Sequence, residues 1–230
     1  MSAIAVLPAR YGSKRIPQKN IRLLDGIPLI GHTLQIVANS GIFDEIIVSS
    51  DNTDMLQISK KYGATKIEER NAELSTDYIS TWQVVSNTVK NFDLFNSEVC
   101  CIYPSSIFLS SNDLKMSKKL LSEFQNDYIV SIYEPNTSSY RTFQLDVNNH
   151  INMIFPEYEH LRSQDLPLSF ADAGLFYWGM GSTWLTNENI LGPRSQGFRV
   201  SLNQVIDLNT LDDWEFLEDV YFGKKARGKS

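Results

Sequence analysis

The sequence predicts an α/β fold: a mostly parallel, Rossmann-like sheet with helices on both faces. Two observations indicate this architecture. Short apolar runs alternate with amphipathic stretches from residue 3 to about residue 133, which is the pattern of parallel strands joined by helical crossovers. The chain has 230 residues, of which 42% are hydrophobic and 21% charged, so it is long enough to bury one large core.

The first strand is expected over residues 3–8, where an apolar and partly β-branched run ends at Pro8. A helix over residues 28–38 follows, because proline suits a first helical turn and Gly41 suits the end of a helix. The same alternation then predicts strand 44–50, helix 52–62, strand 65–68, helix 77–92, strand 99–103, helix 112–125 and strand 127–133.

The alternation of strands and helices changes after residue 133. Residues 142–147 and 150–155 alternate around Asn148 and Asn149, which predicts a β-hairpin because asparagine tolerates positive φ. We interpret about 135–170 as an insert or flap within a single domain spanning residues 1–230. The sheet is expected to resume at residues 175–178, before a closing helix at 211–222 and a frayed basic tail.

Charge and cysteine content indicate where the protein acts and what it does not bind. The 21 Lys and Arg against 27 Asp and Glu leave a net charge of −6, which argues against a broad nucleic-acid or anionic-membrane surface. No run approaches the ~20 apolar residues of a membrane span, and the first apolar run is too short for a secretory signal. Cys100 and Cys101 are adjacent in an apolar run, as expected of buried thiols in a reducing compartment. We therefore expect a cytoplasmic protein without nucleic-acid or membrane partners.

The loop from Arg10 to Asn20 is the densest candidate site. It carries four cations within ten positions and directly follows the first strand. Ligands of parallel sheets bind at the carboxyl ends of strands, where such a loop can wrap a polyphosphate. The loop contains neither a Walker A sequence nor GxGxxG. A solvated basic loop is the alternative interpretation.

The same loop carries a family resemblance. LPARYGSKRIPQKNI resembles the opening signature of the CMP-nonulosonate cytidylyltransferases, which activate sialic-acid-like sugars with CTP. The segments RNAELSTD at 70–77, YPSSIF at 103–108 and DLNTLDDW at 207–214 are similar to later motifs of that family. Within it, RSQDL at 162–166 and DAGLFYWG at 172–179 most resemble pseudaminic acid cytidylyltransferases. The resemblance implies a fold of the nucleotide-diphospho-sugar transferase type.

The resemblance also implies a reaction, in which CMP passes from CTP to the anomeric hydroxyl of an acidic nine-carbon sugar and pyrophosphate is released. Its product would serve surface glycan biosynthesis. Arg10, Lys19 and Asp207 are the implied catalytic residues. The implied nucleotide-binding residues are Leu7, Ala9, Arg10, Gly12, Ser13, Lys14, Lys19, Asn20, Arg70, Thr81, Tyr103 and Ser105.

Asp207 is the candidate ligand for Mg²⁺, which prefers carboxylates, phosphates and water. The family usually presents two aspartates one residue apart, whereas the second position here is Asn209. The amide oxygen can still coordinate, but one negative charge is lost. The alternative for Asp207 is a capping or first-turn charge for the helix that follows it. No residue stands out as a general base.

The acceptor sugar has a carboxylate, which an arginine can hold with two hydrogen bonds. Arg141 and Arg162 match the family's sugar-side positions in the insert, and a surface ion pair is their alternative role. The sugar's hydroxyl and acetamido groups are expected to meet Gln144, Gln164 and Asp172. The insert is also expected to join two chains in a homodimer, as the resemblance implies.

Two departures from the family pattern leave alternatives open. Ala171 and Leu175 stand where the pseudaminic subfamily usually has histidine and glutamine, so the acceptor could be a legionaminic, sialic or 3-deoxy-manno-octulosonic acid. Asn209 suggests a second alternative, a catalytically weak nucleotide-binding homologue.

Overall fold

The computed structural model describes residues 1–13, 15–76, 78–123 and 127–228. Its centre is a seven-stranded sheet with the strand order β11-β7-β10-β6-β1-β4-β5. These strands are β1 (Ala3–Pro8), β4 (Glu45–Ser50), β5 (Lys66–Glu69), β6 (Glu98–Ile102), β7 (Tyr128–Tyr133), β10 (Ala171–Met180) and β11 (Ser195–Arg199). All neighbours pair in parallel except β10, which is antiparallel to both β6 and β7. The expected mostly parallel α/β sheet is therefore confirmed.

Six α-helices accompany the sheet within the described residues. They are α1 (Leu29–Ser40), α2 (Thr53–Lys61), α3 (Thr81–Asn91), α4 (Ser111–Glu123), α5 (Gly181–Thr186) and α6 (Leu211–Ala226). Successive residues of β1 point to opposite faces of the sheet: Leu7 joins the core beneath α1, α2 and α4, and Val6 joins the core beneath α3 and α5. Both faces of the sheet are thus covered by helices.

A third apolar cluster connects the two ends of the chain. Ile16, in the cationic loop, is completely buried with Leu208 and Trp214 near the start of α6. The short ribbon of β2 (Leu23–Leu24) and β3 (Ile27–Pro28) belongs to the same cluster through Leu24. This packing brings the segment around residue 208 next to the loop that follows β1.

Several helix boundaries differ from the sequence prediction. Pro28 lies in β3, where it pairs with Leu23 of β2. It precedes α1 rather than forming the first turn of that helix. Helix α3 begins only at Thr81, because Ser80 and Gln83 form a capping box there. The predicted start at Asp77 and the predicted end of α4 at Gln125 lie outside the described residues. Helix α6 continues to Ala226, so part of the expected frayed tail is helical.

The insert contains the predicted hairpin. Its strands are β8 (Phe143–Leu145) and β9 (Ile151–Met153), and Asn149 has a φ of 64° in the turn. The Asp146 carboxylate accepts hydrogen bonds from the backbone N–H groups of Asn148 and His150, at 2.8 and 2.9 Å. The sequence prediction did not include β2, β3, α5 or β11, which are short and lack a strong apolar period.

Candidate active site

A cavity of about 530 Å³ opens at the carboxyl ends of β1, β5 and β6. Parallel α/β sheets bind their ligands at this edge. The cavity is lined by the cationic loop, the segment after β5, the start of α3, the segment after β6 and Leu208. The predicted nucleotide-binding residues that line it are Arg10, Ser13, Lys19, Asn20, Arg70, Thr81, Tyr103 and Ser105.

The remaining predicted nucleotide-binding residues lie elsewhere. The side chains of Leu7 and Ala9 are completely buried in the core, so only their main chains could serve a ligand. Gly12 is exposed in the loop. Lys14 lies outside the described residues.

The described part of the cationic loop is held in place by hydrogen bonds and by one buried apolar side chain. Asn20 is buried, and its amide nitrogen donates to the carbonyl oxygen of Arg10 at 3.0 Å. The backbone N–H of Tyr11 donates to the Asp51 carboxylate at 2.8 Å. Together with buried Ile16, these bonds anchor the loop at both ends and in its middle. The described residues that make these contacts need little ordering when they receive an anion.

Lys19 connects the loop to the segment before α6. Its Nζ donates to the carbonyl oxygen of Leu208 at 3.1 Å, across 189 residues of sequence. Burial lowers the pKa of Lys19, and the charges of Arg15 and Arg10 lower it further, while Asp207 acts in the opposite direction. Lys19 is therefore a partly desolvated cation beside a carboxylate, at the wall of the cavity.

Arg70, which follows β5, is buried and also lines the cavity. One terminal nitrogen donates to the carbonyl oxygen of Ser49 at 3.0 Å and the other to that of Leu74 at 3.4 Å. Within the described residues, its Nε has no hydrogen-bond partner. Burial lowers the pKa of Arg70, but a guanidinium stays charged in proteins. A guanidinium has five N–H donors, so a charged side chain held by two backbone carbonyls keeps further donors, which suits recognition of a phosphate.

Asp207 and Asn209 lie side by side, with the amide nitrogen of Asn209 donating to a carboxylate oxygen of Asp207. The cap of α6 is Thr210, whose hydroxyl accepts from the N–H of Asp213 at 3.2 Å. Asp213 in turn accepts from the N–H groups of Asn209 and Thr210, and these bonds lower its pKa. Asp207 is thus not the capping residue of α6, which removes that alternative for it.

The donor set around Asp207 suits a weakly held magnesium ion. Among the described residues, no cluster of three or more histidine, cysteine, aspartate or glutamate side chains could hold a metal. Mg²⁺ often takes only one or two protein carboxylates and completes its shell with phosphates and water. The Asp207 carboxylate fits such a site, whereas the Asn209 amide would have to turn its oxygen toward the ion, because its nitrogen now faces Asp207.

A second cavity, of about 630 Å³, adjoins the first through two shared residues, Thr81 and Tyr103. Their side-chain oxygens are hydrogen-bonded at 2.7 Å. Tyr177 lines only the second cavity, and its hydroxyl donates to Asp172 at 2.6 Å. The other residues around it are Ser80, Trp82, Glu188, Asn189, Ile190 and Leu191. The sequence prediction missed these residues, because the segment at 188–191 has no motif and no periodic pattern.

The predicted sugar-binding residues of the insert do not reach the first cavity in the described chain. Arg162 forms a 2.7 Å ion pair with Asp165, the surface alternative considered for it. Arg141 donates to the carbonyl oxygen of Leu161 and lines a separate cavity of about 310 Å³ within the insert. Gln144 and Gln164 are exposed. Asp172 stands apart from the insert, at the start of β10.

A family model described as cytidylyltransferase matches residues 4–205. The chain belongs to the cytidylyltransferase family. It is therefore a nucleotidyltransferase, as the motifs predicted. A pseudaminic acid cytidylyltransferase of Campylobacter jejuni strain 81-176 is 37% identical over 224 residues, covering 96% of this chain and 97% of that protein. The CMP-N,N'-diacetyllegionaminic acid synthase of Legionella pneumophila strain Philadelphia 1 is 28% identical, with 95% of each chain covered.

Solved structures support the fold of this cytidylyltransferase. The structure of CMP:2-keto-3-deoxy-manno-octonic acid synthetase complexed with CTP superposes with a TM-score of 0.73 at 14% identity, covering 97% of this chain and all of that one. A 4-diphosphocytidyl-2C-methyl-D-erythritol synthase from Anaerococcus prevotii gives 0.64 at 12% identity, with 96% of each chain covered. Among the described residues, no helix is long and apolar enough to cross a membrane.

Proposed function

We propose that this cytidylyltransferase transfers CMP from CTP to the anomeric hydroxyl of a nonulosonic acid, with pseudaminic acid as the favoured acceptor. The observation that carries the proposal is the cavity at the strand ends, whose walls bring Arg10, Lys19 and Arg70 together. The 37% identity to a pseudaminic acid cytidylyltransferase, over nearly all of both chains, supports the choice of sugar. The reaction would take place in the cytoplasm.

The cations of the cavity would neutralise the triphosphate. Nucleotidyl transfer depends on charge stabilisation and on holding the nucleophile in line with the leaving group. Lys19 and Arg70 lie on different walls and are both partly or fully withdrawn from water, so their charges act on an anion with little screening. Arg10, Ser13 and Asn20 would hold the remaining phosphate oxygens from the loop side.

Asp207 and Asn209 would hold the magnesium ion next to Lys19. When bound, Mg²⁺ neutralises charge on the phosphates and on the leaving pyrophosphate. Lys19 would compete little with it, because its Nζ is directed to the carbonyl oxygen of Leu208. The same lysine keeps the segment around residue 208 against the loop, so that metal ligands and phosphate ligands are held together.

The sugar would occupy the second cavity, which adjoins the first at Thr81 and Tyr103. Its anomeric hydroxyl would then face the nucleotide across these two residues. We further propose that a homodimer forms through the insert, whose exposed side chains include Leu145 at 63% and Ile151 at 67%. A second copy could bring Arg141 or Arg162 to the sugar carboxylate, which the described single chain does not do.

The test is release of pyrophosphate from CTP and Mg²⁺ with a panel of pseudaminic, legionaminic, sialic and 3-deoxy-manno-octulosonic acids. We expect the highest kcat/KM with pseudaminic acid. A higher kcat/KM with another acid would identify that acid as the favoured acceptor and leave the proposed reaction unchanged. Folded protein that binds CTP and turns over no acid on the panel would contradict the enzymatic proposal and favour a catalytically weak homologue.

A further inference from the structure

A local irregularity in β10 brings Asp172 and Tyr177 together. Between these residues β10 advances five positions while its partner β7 advances two, from Ile132 to Val130. Residues five apart in a regular strand point to opposite faces of a sheet, so their contact depends on this bulge. Gly174 adopts a φ of 58° within it, and the buried hydroxyl of Ser131 accepts from two backbone N–H groups of the bulge. The bulge is therefore held by specific hydrogen bonds and is not a frayed strand end.

Both oxygens of the Asp172 carboxylate are engaged. One accepts from the backbone N–H of Gly174 at 2.9 Å, and the other accepts from the Tyr177 hydroxyl at 2.6 Å. A carboxylate can only accept hydrogen bonds, so the single hydroxyl hydrogen of Tyr177 is committed to Asp172. Toward any other partner, the Tyr177 hydroxyl can therefore act only as a hydrogen-bond acceptor.

Tyr177 lines the second cavity, where its hydroxyl also interacts with that of Tyr103. Its side chain is only 5% exposed and lines that cavity beside Tyr103, with the two ring centroids 5.8 Å apart at an interplanar angle of 83°. Burial raises the pKa of Tyr103 to about 12 and raises the pKa of Tyr177 still further, with Asp172 adding to the latter effect. Both phenols therefore stay neutral at working pH. They can direct hydrogen bonds but cannot serve as bases.

We propose that Asp172 is a positioning residue that makes the Tyr177 hydroxyl a hydrogen-bond acceptor toward the sugar cavity. The acceptor sugar is then selected for a donor, a hydroxyl or an amide N–H, at the point that meets Tyr177. This inference rests on the proposed function, because it assigns the second cavity to the sugar. Asp172 itself lines neither of the two cavities and acts through Tyr177.

The isosteric variant Asp172→Asn tests whether Asp172 sets the direction of the hydrogen bond that the Tyr177 hydroxyl makes in the cavity. The N–H of Gly174 needs an acceptor, so the new amide oxygen will face Gly174 and the amide NH₂ will face Tyr177. The Tyr177 hydroxyl then accepts from the amide and turns its own hydrogen toward the cavity. Because one hydrogen bond to the sugar loses its matching partner, we expect the KM for the sugar to rise about three- to tenfold. The KM for CTP should change by less than about twofold.

The matched controls are Tyr177→Phe and the double variant. Tyr177→Phe should raise the KM for the sugar similarly, and Asp172→Asn should have no further effect in that background. Equal effects of Asp172→Asn with and without the Tyr177 hydroxyl would overturn the proposal. So would an equal rise in the KM for CTP. Melting temperatures of all three variants identify a loss that comes from misfolding.

Selectivity provides the sharper measurement. The probes are sugar analogues in which a single hydroxyl or amide hydrogen is replaced by methyl. For one of them, we expect kcat/KM relative to the parent sugar to be low in the wild-type protein and higher in Asp172→Asn. Unchanged discrimination across the whole set would contradict the inference. Wild-type turnover of the parent sugar tests the proposed function separately from this comparison.

A spectroscopic readout is independent of turnover. In protein labelled with ¹³Cζ-tyrosine, the resonance that disappears in Tyr177→Phe belongs to Tyr177. We expect Asp172→Asn to move that resonance upfield, because the phenol loses a charged acceptor. A resonance that does not move would show that the hydroxyl is not bonded to Asp172 in solution, and the proposal would fall whatever the enzyme turns over.

Discussion

Lys19 and Arg70 of the nucleotide cavity are held differently from Arg162 of the insert, although Arg141 of the insert, like the cavity pair, donates to a backbone carbonyl oxygen. Lys19 and Arg70 are withdrawn from water and bonded to backbone carbonyls of distant segments. Arg162 is 74% exposed and paired with Asp165 three residues away. A cation held by rigid backbone acts strongly on an anion, whereas an exposed pair is screened and contributes little to stability. The comparison indicates that a single chain already holds the cations of the nucleotide cavity in place, whereas a partner chain for the insert is part of the proposed function.

The largest expected effect tests the nucleotide cavity. Lys19→Met keeps the length and apolar stem of the side chain but removes its charge. We expect kcat/KM for CTP to fall about 10²–10³-fold, the usual cost of removing one transition-state charge contact. Arg194→Met, at a 73% exposed arginine paired with Asp127, is the control and should leave kcat/KM unchanged. A fall of less than about threefold in Lys19→Met would show that the cavity does not bind the reacting phosphates.

The second prediction tests the dependence of the insert on a partner. Leu145→Asp places a charge on the exposed hairpin. If the proposed dimer forms through the insert, light scattering should show a dimer for the wild-type chain and a monomer for the variant. The KM for the sugar should rise about ten- to a hundredfold if the partner supplies one charge-assisted hydrogen bond, while CTP affinity stays constant. Phe95→Asp, at a 50% exposed site outside the insert, should leave the dimer intact. A monomeric wild-type chain with full activity would remove the proposed dimer.

The third prediction concerns pH. Burial lowers the pKa of Lys19, and a bound polyanion favours its protonated form. Above that lowered pKa, CTP binding must therefore take up a proton, so affinity should fall with rising pH by at most about tenfold per unit. Calorimetry in buffers of different ionisation enthalpy between pH 8 and 10 measures the uptake. Lys19→Arg, which stays charged, should abolish the slope; a slope that persists in Lys19→Arg would assign the proton to another group.

A smaller effect is expected from Asn209→Asp. The added carboxylate next to Asp207 should lower the Mg²⁺ concentration for half-maximal pyrophosphate release about three- to tenfold, because ligand charge sets affinity for this ion. Asp212→Asn, in the first turn of α6, changes charge nearby without touching the site and serves as the control. No change in Mg²⁺ dependence in Asn209→Asp would place the metal ligands elsewhere.

The smallest effect should come from the exposed pair of the insert. Arg162→Met should change the free energy of unfolding by less than about 1 kcal/mol, since exposed ion pairs rarely contribute more. Chemical denaturation of the single variant, compared with Arg194→Met, provides the measurement. A loss of several kcal/mol would show that Arg162 is part of the folded core of the insert, contrary to its exposure.

Local pattern accounted for most of the fold. The apolar runs predicted β1, β4, β6 and β7 within one or two residues, and the asparagines of the hairpin predicted the turn at Asn149. The antiparallel course of β10 could not be predicted, because an apolar run says nothing about the direction of its neighbours. The bulge at Gly174 could not be predicted either, and nor could the contact that it creates between Asp172 and Tyr177. The resemblance predicts that Asp172 meets the sugar directly, and this stays a prediction.

The amino-acid sequence by itself determined that this chain is a cytidylyltransferase with a cationic loop after its first strand. Residue types, spacing and motif order are sufficient for that, because they are properties of contiguous segments. Tertiary structure alone decided which charges share a cavity. Lys19 meets the carbonyl oxygen of Leu208 across 189 residues, and Arg70 meets that of Ser49 across 21. Such contacts arise from the packing of the third apolar cluster and the register of the sheet, which depend on all of the chain at once.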